Sequence, residues 1–399
     1  MINLDKSDSD VIHWPNEIVV IGGGRWARVI VGQLQDLVPK STTIKIHTSR
    51  NIIGMSKWVD EQRYKNVWVE AEFLRFDACK TSAVIVANAA RDHEMAIDAG
   101  LNVGAAVLVE KPVTLSTNSA RRLSDLAKDR GLYFASAHVF MFARYIAALA
   151  KQVVVAGPIE HIRVIWCDQK AEERYGENKT YDPSLPIYAD CLPHVLSIFE
   201  MLAPDLPLQF VCLSLYRGGS HLELQMMLGT IPCSIRFERN SDARQRIIEV
   251  PNAWQHFRCD FTREPGVIFS GEIKEESDMD WDRSPRPLAS QLTAFLRGAG
   301  GGYRDPRLDI KHGLRACRMI DVVSANYNEA QQLWMVENLL VECSRIGDDL
   351  HYALSELLLA KGIVDSLELK DEINRVYKDC SGRSAAYIGN YLGNYLGNI

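Results

Sequence analysis

The chain has 399 residues and a formal net charge of −6 at pH 7, with 47% hydrophobic and 24% charged residues. This length suits two domains with an appendage, because single domains usually hold about 100 to 200 residues. The acidic balance supplies no basic face to neutralise a nucleic-acid backbone, so neither DNA nor RNA is expected as a partner. The nine cysteines lack CxxC or Cys/His metal-ligand spacing and are interpreted as reduced thiols, with no metal site.

Two features of the sequence predict a cytoplasmic protein. The first ten residues are polar and acidic, unlike the basic and then apolar pattern of an export signal. No uninterrupted apolar stretch reaches the roughly 20 residues that are needed to cross a bilayer. We therefore expect no membrane association.

The first third of the chain alternates between strand-like and helix-like segments. The apolar block at residues 18–21 is typical of a strand buried on both faces, and apolar residues then recur at helical spacing until residue 37. Further strands are predicted at 43–48, 67–69, 83–87 and 107–109, and helices at 93–99 and 114–130. This alternation implies right-handed crossovers and a parallel sheet. Residues 1–144 are therefore predicted to form an α/β domain.

A different pattern begins after residue 136. Strand-like segments follow one another with few helices between them, at residues 159–167, 209–216, 222–227, 232–238 and 246–250. They predict an open, mainly antiparallel sheet, with helices at 192–202 and 288–296 packed on its one covered face. We assign residues 145–330 to this α+β domain and residues 331–399 to a helical C-terminal extension, whose final Gly-Asn repeat is expected to fray.

A glycine turn separates the first strand from the first helix, with the sequence Gly22-Gly23-Gly24-Arg25-Trp26-Ala27. Its strand–turn–helix context is that of a dinucleotide fingerprint, and so of a Rossmann domain. Gly22 would allow the tight turn, Gly24 would let the backbone approach a pyrophosphate, and Ala27 would keep helix and strand close. Backbone N–H groups at the helix start, at Arg25 and Trp26, would face the phosphate. A glycine turn that binds no ligand is the alternative.

The end of the second strand indicates which dinucleotide is bound. A site that prefers NAD usually carries an acidic residue there, which holds the ribose 2′-hydroxyl, and the segment from His47 to Arg50 contains none. Ser49 and Arg50 could instead hold a 2′-phosphate, the guanidinium through paired charged hydrogen bonds. The pattern favours NADP(H). NAD stays open, because an exposed arginine without a ligand is the competing interpretation.

A second group of candidates follows the predicted strand at 107–109. Glu110-Lys111-Pro112 comes at the carboxyl edge of the sheet, where ligands bind in folds of this kind. A lysine at this edge can touch both a nicotinamide ribose and a substrate hydroxyl. A surface lysine in a turn before a helix is the alternative.

The third group is the pair Asp190 and His194, four residues apart at the predicted start of a helix. If the first turn is helical, the two side chains share a face. An imidazole beside a carboxylate can move a hydroxyl proton while a hydride moves to or from carbon. An N-capping Asp190 followed by an incidental histidine is the alternative.

Taken in this order, the motifs resemble those of the Gfo/Idh/MocA oxidoreductase family over about residues 17–330. Further matches are Asn88 with His93, the segment 137–142 and the segment 157–159. The resemblance implies that Lys111 positions substrate and nicotinamide, that His194 is the general acid/base and that Asp190 binds or orients the substrate. It also implies cofactor contacts by the glycine turn and by Ser49, Arg50, Asn88, His93, Glu110 and Lys111.

Family members mostly act on sugars and cyclitols, so the resemblance implies hydride transfer at a secondary alcohol or ketone carbon of such a small-molecule substrate. It further implies a homo-oligomer that associates through the open sheet. Two departures from the family pattern are a longer segment at Leu101–Ala106 and the presence of Ser197 where many members carry an acidic residue.

The C-terminal extension motivates two other hypotheses. Residues 364–368 resemble the Asp-Ser-Leu site of acyl or peptidyl carrier domains, where Ser366 would bear phosphopantetheine; a plain helical hairpin is the alternative. One hypothesis is therefore an imine reductase of peptide or polyketide secondary metabolism. The other is a non-catalytic dinucleotide-binding regulator, which would use the extension to engage a partner protein.

Overall fold

A computed structural model describes residues 13–71, 81–169, 172–174, 177–178, 185–216 and 219–346 of the chain. Ser366 and the Gly-Asn repeat lie outside these residues, so the predictions that concern them stay predictions. Within the described ranges, none of the helices combines the length and the apolarity that crossing a membrane requires. The same ranges contain no group of three His, Cys, Asp or Glu residues arranged to hold a metal ion.

The described residues divide into two compact units. The first unit contains the residues up to Ala143 together with Trp281–Cys317. The second unit contains Arg144–Asp280 together with the residues from Arg318 onward.

A six-stranded parallel sheet forms the centre of the first unit, in the order β3-β2-β1-β4-β5-β6. The strands are β1 (Glu17–Ile21), β2 (Thr43–His47), β3 (Val67–Glu70), β4 (Thr81–Val86), β5 (Ala106–Val109) and β6 (Phe134–Ser136). The connecting helices are α1 (Arg25–Leu37), α2 (Ile52–Gln62), α3 (His93–Asn102) and α4 (Thr117–Asp129). This confirms the predicted parallel α/β domain.

The first unit is built around strands that are buried on both faces. Apolar side chains of β1, β4 and β5 pack against α3 and α4 in one core cluster. The chain moves outward from β1 in both directions, to β2 on one side and to β4 on the other. Such a reversal of strand order opens a crevice at the carboxyl ends of the central strands, which is where ligands bind in open α/β sheets.

The second unit contains an eight-stranded sheet in the order β10-β11-β12-β7-β13-β14-β15-β16. The strands in this unit are β7 (Ile162–Gln169), the small pair β8 (Glu173–Arg174) and β9 (Glu177–Asn178), then β10 (Leu208–Tyr216), β11 (His221–Leu228), β12 (Ile231–Ser241), β13 (Gln245–Pro251), β14 (His256–Asp260), β15 (Val267–Ser270) and β16 (Ile273–Glu276). Only the β7–β12 pair of the large sheet is parallel, so the predicted mainly antiparallel sheet is confirmed. Helices α5 (Arg144–Ala156) and α6 (Ile187–Leu202) pack on it.

Two further helices differ from the sequence-based expectation. Helix α7 (Pro287–Ala299) contains the predicted segment 288–296, but it packs against α1 and β4 of the first unit and does not cover the open sheet. The helical spacing of its apolar residues predicts that one face of the helix is buried. That spacing does not identify the element against which the face packs. Helix α8 (Ile310–Ile346) continues through residue 330 without interruption.

Candidate functional site

The glycine turn connects β1 to α1 with a backbone geometry that only glycine permits. Gly22 has a φ of +153°, and a Cβ on it would lie 2.7 Å from the carbonyl oxygen of Ala87. Its N–H donates to the carbonyl of His47 at 3.0 Å, so the turn is held between the ends of β2 and β4. A side chain at residue 22 would therefore force the central strands apart.

The other end of the turn leaves space for a ligand. Gly24 is the N-cap residue of α1, and a Cβ built on it meets no atom within 4 Å. Gly24 supplies no side-chain cap to α1, and the first turn of the helix carries no acidic residue. Helix N-termini of this kind attract phosphate through their N–H groups and dipole. The residues present therefore fit a dinucleotide pyrophosphate.

The next residues of the turn begin α1. Ala27 is fully buried, which allows the close packing of helix and strand that its small side chain predicts. Arg25 and Trp26 are half-buried. Trp26 lies beside Glu110, the first residue after β5. This contact joins the start of α1 to the loop that carries Lys111.

The loop after β2 is tied to the glycine turn. The side chain of Asn51 donates to the carbonyl of Gly23 at 2.7 Å, and a Cβ on Gly23 would lie 3.0 Å from the Cβ of Thr48. Ser49 and Arg50, between these anchors, are exposed. Within the described part of the chain, Arg50 has no hydrogen-bond or ion-pair partner, which leaves its guanidinium available to a ligand. Sequence analysis did not identify Asn51, whose role depends on a contact with a residue far away in the chain.

The neighbouring strand β3 places a carboxylate beside the end of β2. Glu70 pairs in register with His47, and its Oε1 lies 3.9 Å from the Nζ of Lys45. No carboxylate follows β2 directly, as the sequence predicts.

Asn88 and His93 lie between the carboxyl ends of β4 and β5, and they differ in what they can offer a ligand. The Oδ1 of Asn88 is buried and accepts no hydrogen bond from any described residue. His93 is 1% exposed, and its Nδ1 and Nε2 lie 2.8 Å and 3.2 Å from the carbonyl oxygens of Pro112 and Asn88. Both ring nitrogens of His93 therefore face carbonyl oxygens of the protein, and the nitrogen that carries the proton donates to one of them, whereas Asn88 keeps an acceptor for a ligand.

Glu110 and Lys111 continue from β5 at the same edge of the sheet. The N–H of Glu110 donates to the carbonyl of Val86 at 2.9 Å, and both side chains are partly buried. Burial raises the pKa of Glu110, while the neighbouring Trp26 side chain and the charge of Lys111 oppose that change. The structure thus brings together, in the first unit, the predicted residues from the glycine turn to Lys111.

The raised pKa of Glu110 leads to a prediction for how the free energy of unfolding changes with pH. Its folded-state pKa lies above the ordinary value of 4.5, so the wild-type chain loses stability as the pH rises from about 4.5 through the folded-state pKa. Glu110→Gln has no carboxyl group at this position and so does not lose stability in this way. At pH 7 we expect its midpoint of urea unfolding to lie at a higher urea concentration than that of wild type. At pH 4 we expect this difference in midpoint to disappear. Glu61→Gln on the exposed face of α2 is the control. An advantage of Glu110→Gln that does not change with pH would contradict the assignment.

Asp190 and His194 lie on α6, in the second unit. The helix begins at Ile187 with Pro186 as its N-cap residue, and the N–H of Asp190 donates to the Pro186 carbonyl at 3.2 Å. Asp190 is therefore inside the first turn, and the alternative that it caps the helix is wrong. Because Pro193 is within the helix, the sequence pattern favoured a later start than the structure shows.

Two arginine side chains form hydrogen bonds and ion pairs near Asp190 and His194. Arg239 donates from Nη2 to the Oδ2 of Asp190 at 3.4 Å and from Nη1 to the carbonyl of Leu185 at 3.0 Å. Arg246 forms an ion pair with Asp168, and both side chains are almost fully buried. Each cation thus faces a carboxylate, in a fully buried pair for Arg246 and Asp168 and in a partly exposed pair for Arg239 and Asp190.

His194 lies parallel to the indole of Trp166, with ring centroids 5.2 Å apart and planes inclined by 13°. The guanidinium carbon of Arg246 lies 4.1 Å from the Trp166 ring centroid. Ser197, where the family pattern often has an acid, donates its hydroxyl to the carbonyl of His194 at 2.7 Å. Sequence analysis missed Trp166, Asp168, Arg239 and Arg246. Charged residues within predicted strands that are otherwise apolar could have pointed to the three charged positions.

Comparison with known proteins finds a family model that is similar to the first part of the chain. Residues 16–138 match the model of the Gfo/Idh/MocA family, described as an oxidoreductase family with an NAD-binding Rossmann fold. Biliverdin reductase A from Homo sapiens is 30% identical over 161 residues, which make up 40% of this chain and 52% of that protein. The match thus spans about half the length of this curated relative.

Solved structures share the fold over most of the described chain. A 3-ketoreductase from Actinomadura kijaniata, in complex with TDP-benzene and NADP, matches with a TM-score of 0.64 at 19% identity and covers 77% of this chain and 96% of its own. A UDP-N-acetylglucosamine 3-dehydrogenase from Acidithiobacillus ferrooxidans matches with a TM-score of 0.62 at 17% identity and covers 79% and 99%. At these identities the likeness establishes the fold.

Proposed function

We propose that the chain is an NAD(P)-dependent oxidoreductase of the Gfo/Idh/MocA family, whose model residues 16–138 match. It transfers a hydride between nicotinamide and the secondary alcohol or ketone carbon of a sugar-like or cyclitol substrate. The observation that carries the proposal is the turn at Gly22 and Gly24, where α1 begins at a glycine that supplies no side-chain cap and lies beside open space.

The residues of the first unit would hold the cofactor. The N–H groups at the start of α1 would bind the pyrophosphate, and Ser49 and Arg50 would bind a 2′-phosphate. Asn88 Oδ1 and the ammonium of Lys111 would hold the nicotinamide end. When bound, the dinucleotide supplies or accepts the hydride.

The residues of the second unit would transfer the proton to and from the substrate oxygen. His194 would take the hydroxyl proton when an alcohol is oxidised and return it when a ketone is reduced. Asp190, held at one oxygen by Arg239, would accept a hydrogen bond from a neighbouring substrate hydroxyl. Lys111 would donate to the reacting oxygen and so stabilise the negative charge that develops there.

A substrate screen tests the proposed reaction. The full chain is mixed with NADPH and, separately, with sugar ketones, nucleotide-linked keto sugars and cyclitol ketones, and oxidation of the reduced nicotinamide is followed by absorbance. We expect turnover with at least one of these ketones, and turnover lowered by about 10²-fold or more with His194→Gln. Turnover confined to compounds without a sugar-like ring would overturn the substrate class.

The match to biliverdin reductase A favours a second candidate, a reductase that acts on a substrate other than a sugar. Biliverdin and cyclic imines are therefore included in the same screen. Turnover of a cyclic imine, with no turnover of sugar ketones, would favour the imine reductase of secondary metabolism.

We also propose that copies of the chain associate through the open sheet of the second unit. The edge strand β10 supports this, because Val211 and Tyr216 are both exposed on it. Light scattering of the full chain tests the proposal, and a monomer at assay concentrations would contradict it.

The space beside Gly24 leads to a prediction for cofactor binding. Gly24→Val introduces a side chain where no protein atom lies within 4 Å of the first new carbon, so the fold should tolerate it while the cofactor should not. We expect the Kd for NADPH to rise roughly 5- to 150-fold, the effect of overpacking a close contact. Fluorescence titration measures the Kd, and circular dichroism checks the fold.

Gly32→Ala, in the middle of the same helix, is the matched control. Its new Cβ would lie 3.8 Å from the hydroxyl oxygen of Tyr64, which is an ordinary contact. It should leave the Kd unchanged and stabilise the chain by about 0.5–1 kcal/mol, because alanine favours the helix. Equal NADPH affinity in Gly24→Val and wild type would show that the cofactor does not lie against this turn.

Arg50 leads to a prediction for cofactor choice. Arg50→Ala removes the charged hydrogen bonds proposed for the 2′-phosphate, so the Kd for NADPH should rise by roughly 10- to 100-fold while the Kd for NADH stays constant. Lys57→Ala removes another exposed cation, 77% exposed on the neighbouring helix α2, and should change neither value. An equal loss of affinity for NADPH and NADH in Arg50→Ala would contradict this role.

A further inference from the structure

We propose that Trp166 is the positioning residue for the His194 imidazole, and that Arg246 and Asp168 hold Trp166 in place for this task. The inference rests on the proposed function, in which His194 moves the substrate proton. The inference identifies the side chain that sets the orientation of the imidazole.

The indole of Trp166 is itself a fixed surface. Trp166 is 5% exposed, and the ring of Phe261 meets it edge-on with centroids 6.0 Å apart and planes at 69°. Trp166 and Arg246 are register partners on β7 and β13, which brings the guanidinium over the indole. The electrostatic attraction between a cation and a ring face stabilises such a pair.

Arg246 is held in turn by several partners. Its Nη1 donates to the carbonyls of Cys167 at 2.6 Å and Gln245 at 2.8 Å, and its Nη2 donates to the Asp168 carboxylate. The indole therefore cannot tilt without disturbing a buried charge pair. A proton-transfer group needs its reacting atom within hydrogen-bond reach of the substrate, so a fixed supporting ring has a direct consequence for the reaction.

The parallel geometry at His194 is that of an offset aromatic stack. Centroid separations of about 4.5–7 Å are favourable for such pairs, and the observed 5.2 Å lies within this range. The hydroxyl of Ser197 is donated to the His194 carbonyl and so supports the backbone of α6. Of these two neighbours, it is Trp166 that contacts the ring of His194 and restricts its rotation.

Two variants separate positioning from simple filling of the core. Trp166→Phe keeps an aromatic face under the imidazole, whereas Trp166→Leu keeps an apolar side chain without one. With the substrate identified in the screen, we expect Trp166→Leu to lower kcat roughly three- to tenfold at nearly constant KM, and Trp166→Phe to retain at least half of kcat. Equal kcat in the two variants, both folded, would overturn the proposal.

Nuclear magnetic resonance of the full chain with 13C-labelled histidine provides a readout that needs no turnover. The His194 ring signal, assigned by its loss in His194→Gln, should be shifted upfield by the indole in wild type. It should remain close to that position in Trp166→Phe and move downfield in Trp166→Leu. A wild-type His194 signal at the position of exposed histidines would overturn the stacking, even if Trp166→Leu fails to fold.

The two measurements also distinguish this inference from the proposed function. If His194→Gln turns over as wild type does, the proton-transfer role of His194 fails, while the ring-current shift still reports the stack. If His194→Gln is inactive but the Trp166 variants match wild type in kcat and in the His194 signal, only the positioning role of Trp166 fails.

Discussion

Replacing His194 by glutamine lowers kcat by about 10²- to 10⁴-fold, the usual contribution of a general acid/base, and leaves the Kd for NADPH unchanged. Glutamine keeps hydrogen-bonding groups but cannot take up a proton at neutral pH. Because the glycine turn is formed by β1, α1 and the residues that follow β2 and β4, the pyrophosphate site keeps all of its own residues when the imidazole is removed. Steady-state kinetics with the substrate from the screen, together with fluorescence titration, measure both quantities.

Lys111→Ala should give the same pattern, with turnover lost and NADPH still bound. The ammonium would stabilise charge on the reacting oxygen, and groups of this kind contribute about 10²- to 10³-fold to kcat. His256→Gln on β14 and Lys128→Ala on α4 change exposed residues of the same types and should keep the wild-type kcat. Wild-type kcat in both His194→Gln and Lys111→Ala would contradict the proposed mechanism.

Asp168→Ala should lower the free energy of unfolding by about 3–5 kcal/mol, because it leaves the charge of Arg246 buried without its carboxylate. The side chains of Asp168 and Arg246 are 2% and 3% exposed. In Asp168→Ala, water therefore does not reach the buried guanidinium of Arg246 to solvate its charge. Urea denaturation followed by tryptophan fluorescence and by circular dichroism measures the loss.

The same two strands supply the control for this prediction. Arg163 and Glu249 form a cross-strand pair between β7 and β13 at 3.3 Å, with the arginine side chain 54% exposed. Glu249→Ala should cost at most about 1 kcal/mol, since exposed ion pairs contribute little. Similar losses in Asp168→Ala and Glu249→Ala would show that the buried pair does not stabilise this part of the sheet.

The sequence predicted the parts of the fold that depend on local pattern. The block at residues 18–21 is a strand buried on both faces, and the glycines after it lie where the sheet order reverses. Short strands such as β15 and β16 were missed, because four residues give too little alternation to recognise. The start of α6 was placed late because a proline inside a helix resembles a helix boundary.

The candidate site was predictable where one residue type carries the signal. The glycines, Arg50, Lys111, Asp190 and His194 stand in motifs that can be read along the chain. Their partners cannot be read in this way, because Trp166 meets His194 and Arg239 meets Asp190 only after the sheet has formed. His93 shows the converse, since its motif suggested a cofactor contact and the structure places carbonyl oxygens of the protein against both of its ring nitrogens.

The claim on which the account depends is that the turn at Gly22 and Gly24 binds a nicotinamide dinucleotide. Fluorescence titration of the full chain with NADPH and with NADH tests it most directly. The account predicts saturable binding, with NADPH bound roughly 10- to 100-fold more tightly than NADH through Arg50. Absence of saturable binding for both dinucleotides would contradict it.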